Sequence, residues 1–162
     1  MLDLLLMRIA VAGLGFMGST HLQAWANVAG ATLHAVVSDS PVKLAGDLSA
    51  IQGNLNRPGQ KLDFSGVRKY RRLEEALADP EVDAVDLCLP TYLHESAAIA
   101  ALQAGKHVLV EKPMAVALAD CTAMIEAAQR AGRHLIVGHS HSFDLPYLRA
   151  EDVEAAAALE ED

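Results

Sequence analysis

Three glycines near the amino terminus, spaced G-x-G-x-x-G, constrain the fold of this chain more than any other feature. Gly13, Gly15 and Gly18 follow a run of small and β-branched residues, 9–12, that is typical of a strand buried on both faces. After such a strand, the first glycine permits a tight turn, the second lets the backbone approach a pyrophosphate, and the third lets a helix pack on the sheet. Residues 19–28 have helical composition. The pattern therefore predicts a dinucleotide-binding turn that faces the positive end of a helix.

An acidic residue stands where this type of turn requires one. In dinucleotide-binding units a carboxylate lies about 20 residues after the glycines, at the end of the next strand. Asp39 has that position, after the apolar run 33–37. A glycine-rich turn alone can be purely structural, but its context here favours a cofactor site. The predicted turn consists of Gly13, Gly15, Phe16, Met17 and Gly18.

Segments typical of strands and of helices alternate along the chain. The strand-like runs are residues 8–12, 32–38, 67–70, 84–89, 107–110 and 135–137. The alternation predicts an α/β fold, a doubly wound parallel sheet of the Rossmann type with about six strands and helices on both faces. Ligands of such sheets bind outside the carboxyl ends of the strands.

The remaining segments complete the predicted organisation. A second helix is expected from Pro41 to about Ile51, and residues 52–66, rich in Gly, Asn and Pro, are expected to form a loop that is either an elaboration near the ligand or a mobile excursion. We expect the dinucleotide-binding domain to span residues 1–145. Residues 146–162 are expected to form an acidic helical tail or junction.

The distribution of charge bears on whether the chain binds nucleic acid. The formal net charge of the 162 residues is −8, and six of the 21 acidic residues but no basic residue lie in the segment 151–162. No basic face for nucleic acid is expected.

Cys88 and Cys121 lack C-x-x-C spacing, which favours reduced thiols in a cytoplasmic protein. The apolar opening of the chain is too short for a signal peptide, and no run reaches the length of a membrane span.

Two predicted strand exits carry groups suited to chemistry. Glu111, Lys112 and Pro113 follow an apolar strand, so the two charges would emerge at the ligand edge of the sheet. A lysine there can donate a hydrogen bond to a substrate oxygen or exchange a proton with it, and Pro113 restricts the lysine to extended backbone. In an isolated loop, the same residues would be an ordinary solvated charge pair. At the other exit, Thr91 is expected to cap the following helix.

Three stretches taken together strongly resemble the glucose–fructose oxidoreductase and inositol dehydrogenase family. They are Gly-Leu-Gly-Phe-Met-Gly at 13–18, Pro-Thr-Tyr-Leu-His at 90–94, and Ala-Gly-Lys-His-Val-Leu-Val-Glu-Lys-Pro at 104–113, of which the last is the most specific. The resemblance covers residues 8–144. It implies an NAD(P)-dependent oxidoreductase that transfers hydride to or from hydroxyl groups of sugars, cyclitols and dihydrodiols.

The resemblance also implies roles for individual residues. Lys112 would be catalytic, beside the nicotinamide and the reacting hydroxyl, with Glu111 supporting it. Pro90 and Thr91 would line the cofactor, and His94 would either line it or have a structural role facing a helix.

The same resemblance bears on the choice of cofactor. Asp39 would accept hydrogen bonds from the adenosine ribose hydroxyls, which favours NAD. Ser38 and Lys43 leave NADP as the alternative cofactor, because a hydroxyl and an amine near the ribose can bind a 2′-phosphate.

In that family a second α/β domain covers the nicotinamide and supplies substrate contacts. We expect no counterpart of this domain after Asp144. The resemblance therefore leaves three hypotheses: the nucleotide-binding half of an oxidoreductase, a free-standing NAD(P)-binding or sensor module, and a fold that no longer binds cofactor. An uncovered apolar surface around Pro90, Val110 and Phe143 is expected to support self-association or a partner.

The histidines are not expected to form a metal site. His139 and His141 lack further ligands at matching spacing. His21 is expected to be a packing or solvent-facing residue.

Overall fold

A computed structural model of the chain describes residues 6–51 and 59–140. These residues form six strands and five α-helices, and most of them lie within one or two residues of the predicted segments. In chain order they are β1 (Met7–Ala12), α1 (Phe16–Trp25), β2 (Ala31–Val37), α2 (Pro41–Leu44), β3 (Arg68–Tyr70), α3 (Leu73–Leu77), β4 (Ala84–Leu87), α4 (His94–Gln103), β5 (His107–Glu111), α5 (Leu118–Ala131) and β6 (Leu135–Gly138).

The strands form one sheet in the order β3-β2-β1-β4-β5-β6. All neighbouring strands run parallel. The direction of winding reverses between β1 and β4, so the loops that leave these two strands diverge and open a crevice at the carboxyl edge. The predicted doubly wound parallel sheet is confirmed.

Strand β1 shows why its sequence is apolar throughout. Ile9 and Val11 pack into one buried cluster, whereas Ala10 and Ala12 pack into another. Successive side chains of a strand point to opposite faces, so a strand covered on both sides needs apolar residues at every position. All four are at most 1% exposed. Strand β1 is thus the centre of the fold, with helices on both faces of the sheet.

The prediction for helix α2 is wrong in its length. The helix begins at Pro41 as expected but ends at Leu44. Gly46 adopts a φ of +90°, and a Cβ at this position would lie 2.0 Å from the backbone oxygen of Leu62. Asp47 then forms an isolated antiparallel bridge with Lys61. The chain leaves the helix early because it packs against residues 61–62, in the second half of the predicted loop.

The start of helix α4 also differs from the prediction. A 3₁₀ turn, Thr91–Leu93, precedes the helix, and no side chain caps either element. Thr91 is therefore not the capping residue, because the α-helix begins three residues after it.

In the part of the chain that the structure describes, no helix is long and apolar enough to cross a membrane. Residues 52–58 of the predicted loop and the predicted tail, 146–162, lie outside the described residues.

A buried carboxylate organises the loop between α3 and β4. One oxygen of Asp79 accepts hydrogen bonds from the Tyr70 hydroxyl at 2.9 Å, from His34 Nε2 at 3.0 Å and from Arg68 Nη1 at 3.2 Å. Its other oxygen accepts the backbone N–H of Glu81 at 2.9 Å. Asp79 is 5% exposed. Its side chain therefore ties the loop to strands β2 and β3.

These contacts lower the pKa of Asp79. Burial alone would raise it, but the hydrogen bonds from Glu81, His34 and Tyr70 and the charge of Arg68 outweigh burial and bring the pKa from 3.8 to about 2. A carboxyl group whose pKa is lower in the folded state stabilises the fold above its unfolded pKa, and this contribution is lost as the pH falls through the folded pKa.

We predict that Asp79→Asn lowers the free energy of unfolding by ~2 kcal/mol at neutral pH, as expected from a shift of nearly two pKa units. The difference between wild type and variant should shrink by about 1 kcal/mol near pH 3, because protonation then begins to remove the wild-type advantage. Urea unfolding at both pH values measures this. An equal loss at both would contradict the assignment.

Candidate functional site

The main cavity of the described structure lies at the carboxyl edge of the sheet, where the order of strands reverses. Its volume is about 930 Å³, which lies within the range of cofactor sites. The lining comes from the loops after β1, β2, β3, β4 and β5. It includes Gly13, Gly15, Phe16, Met17, Ser38, Asp39, Lys43, Arg71, Cys88, Pro90, Glu111 and Lys112.

The three glycines of the turn have different surroundings. A Cβ at Gly13, whose φ is +93°, would lie 2.3 Å from the backbone oxygen of Cys88. A Cβ at Gly18 would lie 1.9 Å from the backbone oxygen of Gly13. At Gly15 a Cβ would meet no atom within 4 Å. Packing thus requires Gly13 and Gly18, while Gly15 leaves open space on the cavity side. Helix α1 begins directly after Gly15 without a side-chain cap, so N–H groups of its first turn remain available to an anion.

Polar groups meet on the side of the cavity near the ends of β2 and β3. Asp39 is exposed and Lys43 is half-buried. Ser38 is buried, and its hydroxyl accepts the backbone N–H of Ser40 at 3.2 Å. The sequence analysis missed Arg71, which lies here as well and donates from Nη2 to the backbone oxygen of Asp39 at 3.2 Å. Its position directly after β3 is the signal, because the exits of neighbouring parallel strands meet at one edge.

On another side of the cavity, Lys112 is exposed at the end of β5, while Glu111 beside it is only 7% exposed. Glu111 Oε2 accepts the backbone N–H of Lys112 at 3.1 Å. The peptide bond between Lys112 and Pro113 is cis. The buried carboxylate therefore fixes the backbone from which the lysine side chain extends.

Pro90 borders the cavity, but Thr91 and His94 do not belong to its lining. His94 is 1% exposed. Its Nδ1 lies 2.9 Å from the backbone oxygen of Pro113, and its Nε2 lies 2.8 Å from that of Leu89. Of the two roles considered for His94, this geometry favours the structural one: it joins the exits of β4 and β5.

His21 is neither a simple packing residue nor solvent-facing, contrary to the expectation. Its Nδ1 lies 2.9 Å from Asp86 Oδ2, and its Nε2 lies 3.0 Å from Glu111 Oε1. Trp25 Nε1 donates to Asp86 Oδ2 at 2.6 Å. The hydrogen bond to Asp86 raises the pKa of His21, and so do the charges of Asp86 and Glu111, although burial opposes them. The signal in the sequence is a histidine and a tryptophan four residues apart on α1, facing an aspartate within an apolar strand.

The predicted apolar surface has a different composition from the one expected. Val110 is completely buried, because its side chain points to the face of the sheet that α4 and α5 cover. Phe143 and His141 lie outside the described residues, and His139 is exposed. Pro90 is exposed as expected. The large exposed apolar side chains shortly after β4 and β5 are Tyr92, Leu93, Val116 and Leu118.

Known proteins share this fold and these motifs. A family model described as an oxidoreductase family with an NAD-binding Rossmann fold matches residues 7–139. The chain is 50% identical over 93 residues, 57% of its length and 23% of the relative, to 1-carboxy-3-chloro-3,4-dihydroxycyclo hexa-1,5-diene dehydrogenase of Comamonas testosteroni. It is 35% identical over 147 residues, 90% of its length and 40% of the relative, to myo-inositol 2-dehydrogenase of Thermotoga maritima.

Among solved structures, the WlbA dehydrogenase from Bordetella pertussis, in complex with NADH and UDP-GlcNAcA, matches with a TM-score of 0.66 and 31% identity. The match covers 81% of this chain and 34% of that one. The chain thus spans less than half the length of these relatives. The family match includes the glycine turn, all six strands and the Glu111–Lys112–Pro113 exit. This chain therefore belongs to the oxidoreductase family with an NAD-binding Rossmann fold.

Proposed function

We propose that this chain binds NAD in the cavity at the carboxyl edge of the sheet, as the nucleotide-binding half of a dehydrogenase. The reaction is hydride transfer between the cofactor and a secondary alcohol, or its ketone, of the sugar, cyclitol or dihydrodiol type. One observation carries the proposal: Gly15, Asp39 and Lys112, which come from three different strand exits, all border the same cavity.

The pyrophosphate of the cofactor would lie against Gly15. The open space at this glycine and the uncapped first turn of α1 suit an anion that needs close backbone approach and free N–H donors. The adenosine ribose would then reach Asp39, and the nicotinamide would extend toward Lys112. This orientation agrees with the position of Asp39 after β2 and of Lys112 after β5, on opposite sides of the glycine turn.

Lys112 is the residue we assign to the reacting oxygen. When bound, the nicotinamide supplies the hydride acceptor or donor. The Lys112 ammonium, exposed at the rim of the cavity, would donate a hydrogen bond from Nζ to the substrate oxygen and orient it for proton exchange. The names of the diene-diol and inositol dehydrogenases support a hydroxylated ring as substrate.

A module that binds NAD(P) without catalysing a reaction remains the alternative proposal. The exposed Tyr92 and Leu118, at 74% and 83%, favour a partner or a second copy on this side of the molecule. Both proposals require the same nucleotide site, so nucleotide binding is the first property to test.

We predict that calorimetric titration of the chain with NAD⁺ gives saturable one-to-one binding. NADP⁺ should bind more weakly, because the Asp39 carboxylate accepts hydrogen bonds from the ribose hydroxyls but repels a 2′-phosphate. If neither nucleotide binds, the proposed function is wrong for this chain. Tighter binding of NADP⁺ would reverse the assignment of cofactor.

We further predict that Gly15→Val abolishes binding of NAD⁺ while the chain stays folded. The backbone at Gly15 has a φ of −88°, which valine tolerates, and the added side chain would fill the space of the pyrophosphate. Gly18→Ala is the matched comparison and should destabilise the fold by about 1–3 kcal/mol or more, because its Cβ meets backbone. Urea unfolding and calorimetry separate the two effects. Unchanged affinity in Gly15→Val would refute the pyrophosphate assignment.

Arg71 should affect the two nucleotides differently. Its guanidinium lies beside Asp39 in the cavity lining and is suited to a 2′-phosphate. We predict that Arg71→Ala weakens NADP⁺ binding about tenfold, or about 1.4 kcal/mol, with little change for NAD⁺. Arg72→Ala is the control, since Arg72 lies outside the lining and pairs with Glu75 at 3.4 Å. Equal effects of the two variants would exclude this role of Arg71.

A further inference from the structure

A cluster of ionisable side chains is buried behind the part of the cavity that Lys112 borders. His21 from α1, Asp86 from β4 and Glu111 from β5 meet there, with side-chain exposures of 16%, 0% and 9%. We call these three side chains the buried triad. Among the described residues, the other polar groups in contact with it are Trp25 Nε1, Cys88 Sγ and the backbone N–H of Lys112.

The geometry of the buried triad suits two donors on one ring. A neutral imidazole carries one N–H and can donate to one carboxylate, whereas an imidazolium donates to two. Both nitrogens of His21 are within 3.0 Å of a carboxylate oxygen, Nδ1 of Asp86 and Nε2 of Glu111. A charged His21 also offsets part of the charge of two buried carboxylates, which is costly to leave unpaired.

The buried triad has no free ligand positions for a metal ion. His21, Asp86 and Cys88 place a nitrogen, an oxygen and a sulfur within 4.8 Å of one another. However, both ring nitrogens of His21 already face carboxylates, and Asp86 also accepts the N–H of Trp25. Burial and the negative charge of Asp86 raise the pKa of Cys88, so its thiol stays protonated. The hydrogen-bonding atoms of the buried triad are thus paired without an ion.

Glu111 connects the buried triad to Lys112. Its Oε1 faces His21, and its Oε2 accepts the Lys112 N–H. Gly138, its partner on β6, leaves room for the carboxylate, because a Cβ there would lie 3.3 Å from Oε1. Both oxygens are therefore held, one by the ring and one by the peptide that carries Lys112.

We propose that His21 is a positioning residue, which holds the Glu111 carboxylate through its second ring N–H and thereby fixes the Lys112 backbone at the cavity. The proposal rests on the proposed function only for the role of Lys112. While His21 is charged, Glu111 is held at both oxygens. Asp86 also has Trp25 as a donor, so once His21 loses the proton on Nε2, Glu111 Oε1 is the oxygen left without its donor, and the Lys112 peptide is held less firmly.

The test is nuclear magnetic resonance of the ¹⁵N-labelled chain without nucleotide, from about pH 5 to about pH 9. We expect both ring nitrogens of His21 to stay protonated to a higher pH than in an ordinary histidine, whose pKa is about 6.5. The Lys112 amide signal should move with the same midpoint as the His21 ring, because its acceptor is the carboxylate that the ring holds. A His21 ring that loses its proton at the same pH as an ordinary histidine, or a Lys112 amide that does not follow the ring, would overturn the proposal.

Two variants separate positioning from general stability. His21→Gln should shift the Lys112 amide signal at low pH and remove its pH-dependent movement. His34→Gln is the matched control, because His34 also faces a buried aspartate, but its ring nitrogen Nε2 contacts Asp79 and not Glu111. It should leave the Lys112 signal unchanged. The same Lys112 titration in His21→Gln as in wild type would overturn the proposal.

The wild-type measurement decides the matter even if His21→Gln fails to fold. Since no nucleotide is present, this experiment and the calorimetric titration fail independently. A chain that binds no NAD⁺ can still show the coupling between His21 and Lys112.

Discussion

The start of helix α1 approaches the ends of β1 and β4 so closely that glycine is required at two positions, and the rest of the site depends on this contact. Gly13 lies against the backbone of Cys88, and Gly18 lies against that of Gly13, at distances that no Cβ could share. This close approach brings the start of α1 to the crevice between the diverging loops. It also brings the next turn of the helix, with His21 and Trp25, onto Asp86 in the central strand. One steric requirement thus places both the proposed anion site and the buried triad.

The sequence predicts those parts of the structure that depend on local pattern. Apolar runs indicated the central strands, because a strand buried on both faces must be apolar at each position, and the alternation of strand-like and helical segments indicated a parallel sheet. The residues at the strand exits followed from the same reasoning. Asp39 and Lys112 border the cavity because each directly follows a strand whose carboxyl end forms this edge.

The parts that the sequence did not predict depend on neighbours distant in the chain. Arg71 reaches Asp39 because β3 pairs with β2, and His21 reaches Glu111 because β5 pairs with β4, the strand that carries Asp86. The early end of α2 has the same type of cause, since Gly46 turns the chain toward Leu62. His94 could be read either way from sequence, and only its two backbone acceptors decide where it points. Asp79 and Asp86 are buried aspartates, and their roles likewise depend on hydrogen-bond donors from other elements of the fold.

The two edges of the sheet differ in their chemistry. Strand β3 is three residues long, and its Arg68 and Lys69 are exposed, which discourages another chain from pairing with it. Strand β6 consists of Leu135, Ile136, Val137 and Gly138, and Ile136 is 53% exposed. Among the described residues β6 pairs with β5 alone. The side chains of the two edge strands thus offer unequal resistance to pairing with another chain, because charge discourages it at β3 and no charged side chain lies on β6.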